Sequence, residues 1–176
     1  MRIRHYRPEY LSAIVQIQQA AAQADSITVR GEADLAAWLQ ELDAEANAFV
    51  VTDDDDELNP WGQAGTLDGV EGEVAGYTVV QLLHNQSGYH FLCQGTMLPR
   101  HRRQNGGRTL LVGALNRARL LASDFEFEAE QQGIPIYFEV LFPVADPASV
   151  HLATKCEMQP TNEPAPAGMC LYRREL

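Results

Sequence analysis

Residues 97–111 read Met-Leu-Pro-Arg-His-Arg-Arg-Gln-Asn-Gly-Gly-Arg-Thr-Leu-Leu, and their reading decides the fold. An apolar run through Phe91, Leu92, Thr96, Met97 and Leu98 stops at Pro99, and apolar residues at helical spacing resume near Gly106. Between the two lie Arg100, Arg102 and Arg103, with Arg108 just beyond the glycines. A strand that turns through cationic, glycine-containing backbone into a helix start is built to hold phosphate. The free N–H groups of the first helical turn point outward there, and the helix dipole adds partial positive charge. Gly106 and Gly107 let that backbone approach a bulky anion with no Cβ in the way.

The charge map points to the same place. The chain has 13 Lys and Arg against 24 Asp and Glu, a formal charge of −11. From Val74 to Ser123 there is no acidic residue but six arginines, so that window is +6 and the remainder −17. A cationic island in an acidic chain fits a local anion site. It does not fit a nucleic-acid partner, because the outer field repels a polyanion.

Length and composition bound the rest. At 176 residues with 45% hydrophobic content the chain is expected to form one domain, residues 1–176, with an ordinary core. No apolar stretch approaches the roughly 20 residues of a membrane span, so no membrane partner is expected. Cys93, Cys156 and Cys170 show no Cys-x-x-Cys spacing and read as buried thiols of a reducing cytoplasm. The charged start, Met-Arg-Ile-Arg-His-Tyr-Arg-Pro, agrees with a cytoplasmic location.

Periodicity predicts a strand over 2–6, a helix over 9–22, a second helix after Gly31, and strands over 48–51, 74–83 and 89–98. The helix from Gly106 frays near Asp124, Gly133 closes the connection, and a strand over 134–142 follows. A crossover helix makes that strand a parallel neighbour of 89–98. Asp146-Pro147 opens a short helix through Lys155, and 169–173 closes the chain, with room for one more strand before it. The acidic run from Asp53 to Glu57 reads as a hairpin tip, and Trp38 and Trp61 need no ligand. The class is mixed α/β: a central sheet of six to seven strands, splayed between two parallel strands and flanked by about four helices.

This motif and element order resemble the GNAT superfamily of N-acetyltransferases. There a strand ending in Val-x-Pro leads to Arg/Gln-x-x-Gly-x-Gly/Ala and a helix opening with Leu-Leu. The counterparts are Met97-Leu98-Pro99, Arg102-Arg103-Gln104-Asn105-Gly106-Gly107 and Leu110-Leu111. Asn105 replaces the first glycine, and Asn is the residue besides Gly that best tolerates a positive φ. Downstream, Asp146-Pro147-Ala148-Ser149 and Lys155-Cys156-Glu157-Met158 resemble the family's Asn-x-x-Ala/Ser and Lys-x-Gly-Phe.

The resemblance implies acetyl-CoA as co-substrate, lying in a V-shaped opening between the two parallel strands. Its pantetheine would pair with free backbone from Gly95 to Met97. Its phosphates would sit over Arg102, Arg103, Gln104, Asn105, Gly106, Gly107 and Arg108, with Ser149 nearby. The implied reaction is direct acetyl transfer to the amine of a small-molecule or peptide acceptor. The acidic exterior hints at a cationic acceptor such as a polyamine, an amino sugar or a basic peptide terminus.

The amine must lose a proton, and 74–123 holds no carboxylate, which leaves His90, His84 and Glu139 as candidates; His90 and Glu139, on the two splayed strands, are the expected catalytic residues. The tyrosine that the family often uses on the last helix is Ala153 here. No Ser-His-Asp constellation stands out, Asp53 to Asp56 lacks the spacing and glycine of a calcium loop, and His84 and His90 are isolated, without Cys or carboxylate neighbours to support zinc, so no metal is expected. Two further readings stand beside the enzyme. One is a non-catalytic acyl-CoA-binding or regulatory module on the same fold. The other is a homodimer whose second copy completes the site.

Overall fold

The structure is a computed structural model that describes residues 1–26, 28–53 and 72–176. The expected hairpin tip after Asp53 and the reading of Trp61 lie outside those residues. The elements are β1 (Arg2–His5), α1 (Leu11–Asp25), α2 (Glu32–Glu41), α3 (Ala44–Asn47), β2 (Ala48–Thr52), β3 (Val74–Asn85) and β4 (Gly88–Met97). Then come α4 (Gly106–Ala122), α5 (Glu126–Gln132), β5 (Ile136–Pro143), α6 (Pro147–Lys155), β6 (Gln159–Pro160) and β7 (Met169–Glu175). The strands form one sheet in the order β1-β2-β3-β4-β5-β7-β6. Among the described residues only β4 and β5 run parallel; the other pairs are antiparallel.

The expected mixed α/β class holds, with six α-helices among the described residues where about four were read. The two extra helices carry almost no apolar signal. α5 buries only Ala129 within an acid-rich stretch, and α3 is a single turn after Asp43. The short β6 is the additional strand for which the sequence left room. Strand 134–142 starts two residues late, because Ile134 and Pro135 complete the turn out of α5: Ile134 N–H donates to Ala129.

Each face of the sheet is covered by helices whose apolar stripe matches the 3.6-residue period. α1 buries Ile14, Ile17, Gln18 and Ala21, and with Leu35 and Leu39 of α2 it packs on Val50, Tyr77 and Val79. On the opposite face α4 lays Leu111, Ala114, Leu115 and Ala118 over Val80, Phe91, Phe138 and Val140. Three alanines on that stripe (Ala114, Ala118 and Ala122) let α4 lie close to the sheet.

The functional geometry comes from where one ladder ends. β4 and β5 pair from Tyr89↔Ile136 to Cys93↔Val140 and no further. Beyond that point Gln94–Met97 stay with β3, while Leu141–Pro143 go with β7. The strands part and leave a wedge, and Gly95 is exposed although it sits in mid-sheet. The expected splay between the parallel strands is therefore present.

β4 bends tightly against β3 at this place. A Cβ on Gly95 would overlap the Tyr77 carbonyl oxygen and lie 2.7 Å from Thr78 Cα, both backbone atoms that cannot step aside. A Cβ on Gly107 meets only Met97 Cγ at 3.8 Å and Leu152 Cδ2 at 4.0 Å. Gly95→Ala is therefore expected to lower unfolding stability in urea by about 1–3 kcal/mol. Gly107→Ala should leave it unchanged or slightly raised. Equal effects at the two sites would contradict the close β3–β4 approach.

Candidate active site

At the mouth of the wedge, β4 runs into the loop over 98–105. Leu98 N–H donates to Ala75, a 3₁₀ turn covers Pro99–His101, and Arg103 and Asn105 then take left-handed φ values of 64° and 65°. Asn105 thus supplies the conformation anticipated for it, in the place where the family pattern has glycine. The first N–H after this loop to find a backbone acceptor is that of Thr109, bonded to Asn105. The N–H groups of residues 103 to 108 donate to nothing among the described residues. Six consecutive free donors at the N-terminus of a 17-residue helix form an anion cradle.

The arginines of this loop divide into two kinds. The +6 window of the sequence is partly neutralised in space by acids from outside it. Arg102 makes a bidentate pair with Asp25 at the end of α1, at 2.7 and 2.6 Å. Arg100 is bound to Glu73, and His101 Nε2 lies 3.0 Å from the same carboxylate. The Arg100 hydrogen bond, and then that of His101, hold the Glu73 carboxyl below its ordinary range. Arg103 and Arg108 are exposed and face no carboxylate among the described residues. Gln104 reaches back to the Arg100 carbonyl at 3.4 Å. The uncompensated charge therefore sits on Arg103 and Arg108, beside the free N–H groups.

Backbone direction along β4 completes the wedge. Leu98 N–H points to β3 and Tyr89 N–H to Pro135 on the β5 side. The register between them has no shift, so odd-numbered residues of β4 turn their backbone groups toward β5. Past Cys93 those groups belong to Gly95 and Met97, and they face the opening. Met97 offers backbone only, because its side chain is buried with Val51, Ala75 and Leu110. Across the gap, Asp146 caps α6 by accepting from Ala148 N–H at 3.1 Å. The Ser149 hydroxyl, in a buried residue, donates to the other Asp146 oxygen at 3.1 Å.

His90 and Glu139 are brought together, each about 5% exposed. His90 Nδ1 is 3.0 Å from Glu139 Oε1, and its Nε2 is 3.0 Å from Ser87 Oγ. Glu139 also accepts from Arg173 Nε at 2.6 Å. The Arg173 guanidinium lies over the Tyr137 ring, 4.4 Å from its centroid, and 2.7 Å from Glu163. This corrects two expectations: His90 does have a carboxylate neighbour, and Ser87, His90 and Glu139 stand in a Ser-His-acid line. The sequence hid it because His90 and Glu139 are 49 residues apart and meet only through the parallel register.

The line is not set up for nucleophilic attack. Ser87 Oγ is 2.5 Å from Asn85 Oδ1, which takes its proton away from His90. His90 also lies three residues before the end of the ladder, about 10 Å down the strand from the opening. What the chain of groups can do is hold or pass a proton along the sheet face opposite α4.

Comparison with known proteins adds the fold's relatives. No family model matches the sequence, and no curated protein matches it. Among solved structures, the ribosomal-protein-alanine N-acetyltransferase of Brucella melitensis is similar over 100% of both chains, at 16% identity and a TM-score of 0.64. An N-acetyltransferase from Staphylococcus aureus Mu50 is similar over 99% of this chain and 97% of its own, at 16% identity and 0.63. A GNAT superfamily phosphinothricin acetyltransferase from Sinorhizobium meliloti, solved with acetyl-CoA, is similar over 99% and 88%, at 14% identity and 0.64. The fold is that of the GNAT acetyltransferases.

On this GNAT fold one nucleophile near the wedge is disabled by its surroundings. Cys93, the last residue of β4 paired with β5, is buried against α4 with Sγ 3.0 Å from Thr78 Oγ. Burial pushes its thiol up to about 12, although the Thr78 hydrogen bond pulls the other way. At neutral pH it is a protonated thiol and a poor nucleophile. Cys156 is buried with its thiol raised by the same cause, whereas Cys170 is only partly covered. A disulfide reagent at pH 8 should therefore modify Cys170 first in the native protein and reach all three thiols only on unfolding. Rapid labelling of Cys93, located by mass spectrometry, would contradict the burial.

Proposed function

We propose that the protein is an acetyl-CoA-dependent N-acetyltransferase that moves the acetyl group directly to a primary amine. The observation that carries this reading is the unbroken run of free N–H groups from Arg103 to Arg108, placed where the wedge opens. It binds a pyrophosphate, with Arg103 and Arg108 supplying charge and Gln104, Asn105, Gly106 and Gly107 supplying backbone. Arg102 serves through its backbone, since its side chain braces α1, and Ser149 holds the α6 cap at the far wall. Gly95 and Met97 bind the pantetheine amides as a missing strand neighbour would. Acetyl-CoA supplies an activated acyl group; the chain supplies position, a dry wall on the α4 side and a route for the proton.

The amine lone pair attacks the thioester carbon, a C–N bond forms, the C–S bond breaks, and the amine proton must leave. His90, paired with Glu139, takes up that proton by way of water along the face opposite α4. The thiolate leaves without a side-chain acid, because the position of the family tyrosine is the fully buried Ala153. A free thiol is acidic enough, at about 8.5, for that departure. An inert Cys93 favours direct transfer over an acyl-enzyme. Three free cysteines agree with a reducing cytoplasm, and the acceptor is a small molecule or a peptide.

A second reading, a non-catalytic acyl-CoA-binding module, is favoured by one feature: Glu139 already accepts from both Arg173 and His90. A homodimer would answer the same lack by lending a group from the second copy.

Acetyl-CoA is expected to raise the melting temperature by mass action, with stabilisation reaching about 2.7 kcal/mol at a hundred times Kd. Gly107→Glu should abolish the shift yet leave the ligand-free melting temperature intact, since its Cβ makes only ordinary van der Waals contacts and a carboxylate is tolerated in a first helical turn. No shift at millimolar acetyl-CoA would sink the proposal. Given turnover, His90→Gln should cost about 10²-fold in kcat, with the KM for acetyl-CoA unchanged. Binding with no turnover on any amine would leave the binding module.

A further inference from the structure

We infer that the acceptor amine also carries an anionic group, a carboxylate or phosphonate, and that Arg30 reads it. The inference rests on the transferase reading above and names the substrate class of the same wedge. It starts from the chain between α1 and α2. At one end Asp25 is clamped to Arg102 at the wedge mouth. At the other, Arg30 Nη2 lies 3.5 Å from Gln94 Oε1. Gln94 is the first residue of β4 past the end of the β5 ladder. It shares its sheet face with Val79, which packs against α1 and α2. The α1–α2 connection is thus tied at the mouth of the wedge to the loop after β4 and at the apex to β4 itself.

Among the described residues the partners of Arg30 are all uncharged. Its guanidinium stacks 4.2 Å over the Trp38 ring, the Gln94 contact is long, and its charge is felt by the Tyr77 phenol. Tyr77 is buried and held by Gln18 Nε2 at 2.6 Å, and burial raises its pKa in spite of Gln18 and Arg30, so it is no anion for Arg30 to pair with. Among the described residues Arg30 faces no carboxylate. Arg100, Arg102, Arg173 and Arg174 each meet a carboxylate, whereas Arg30 is held only by a ring and an amide. Stacking on Trp38 fixes the plane of the fork and leaves its N–H edge exposed, the arrangement that grips a planar or tetrahedral oxyanion in two-point fashion.

This refines the expectation of a purely cationic acceptor. The surface acids act through solvent and are screened beyond about 8–10 Å, whereas Arg30 acts by contact. A zwitterionic acceptor, ammonium at one end and oxyanion at the other, satisfies both fields.

The test uses pairs of amines that differ only in the anion: amino acids against their amides, and 3-aminopropylphosphonate against propylamine. Acetylation is followed as kcat/KM, and binding as the melting shift of the CoA complex, which needs no turnover. The anion-bearing member should lead its partner by at least about tenfold. Arg30→Gln, an exposed change without an ion pair to break, should collapse the ratio by about 10- to 100-fold through KM, and Arg30→Lys should restore part of it. Amides as good as acids in the wild type, or a ratio that survives in Arg30→Gln, would overturn the inference. If acetyl-CoA itself fails to bind, the transferase reading falls; if it binds and the acceptors prove blind to the anion, only this inference falls.

Discussion

The rest of the molecule depends on one backbone constraint, the end of the β4–β5 ladder at Cys93 and Val140. β4 is tied to β3 by a long hairpin and β5 to β7 by an antiparallel ladder, so neither strand can follow the other past that point. Unpaired backbone groups in a protein interior cost about 1–3 kcal/mol each. The wedge therefore has to be open to water or to a ligand that pairs as a strand would. The exposure of Gly95 is the visible result. The helices then brace an opening that the sheet alone would tend to close: α4 fills one face with apolar contacts, and the α1–α2 connection holds the other through two side-chain links.

Charge is sorted by the same geometry. Arg100–Glu73 is an exposed pair, worth less than about 1 kcal/mol in solvent. Arg102–Asp25 joins two distant elements, with the Asp25 side chain only 8% exposed, and acts as a structural tie. Glu139 is buried with Arg173 and His90, a cluster in which removal of one partner is costly because it strands the others. Arg30, Arg103 and Arg108, which border the wedge, face no carboxylate among the described residues, and neither do Arg117 and Arg119 on α4.

Much of this was legible in the sequence, for a physical reason: local periodicity encodes local structure. The stripes of α1, α2 and α4, the β3–β4 turn at Asn85–Gly88 and the Asp146 cap are all written in short-range spacing. The loop could be read because its chemistry is backbone chemistry, set by a strand end, a left-handed Asn105 and glycines in sequence. Where no stripe existed the reading failed, as in α5 with its single buried Ala129. It failed also where the meaning lay in pairs far apart. His90 with Glu139, Arg102 with Asp25 and Arg30 with Gln94 are 49, 77 and 64 residues apart. Only sheet register and helix docking bring them together, and composition carries no trace of that. The acid-free window was true as sequence and misleading in space, since Asp25 and Glu73 fold onto it.

The two faces of the wedge differ in a way that fixes the direction of approach. On the α4 side the walls are Phe91, Cys93, Phe138 and Val140, and even the thiol is held protonated. On the other side the polar groups gather: Gln94, Arg30, Tyr77 with Gln18 and, further down the strands, His90 with Glu139. A charged acceptor entering from the α4 side would have to shed its hydration against hydrocarbon, with nothing there to replace it. On the proposed reading, from the opposite side it would exchange water for a guanidinium and amides, with the His90–Glu139 pair on the same face. The β4–β5 plane thus separates an apolar wall from a polar face, and the proposed transfer would draw its acceptor from the second.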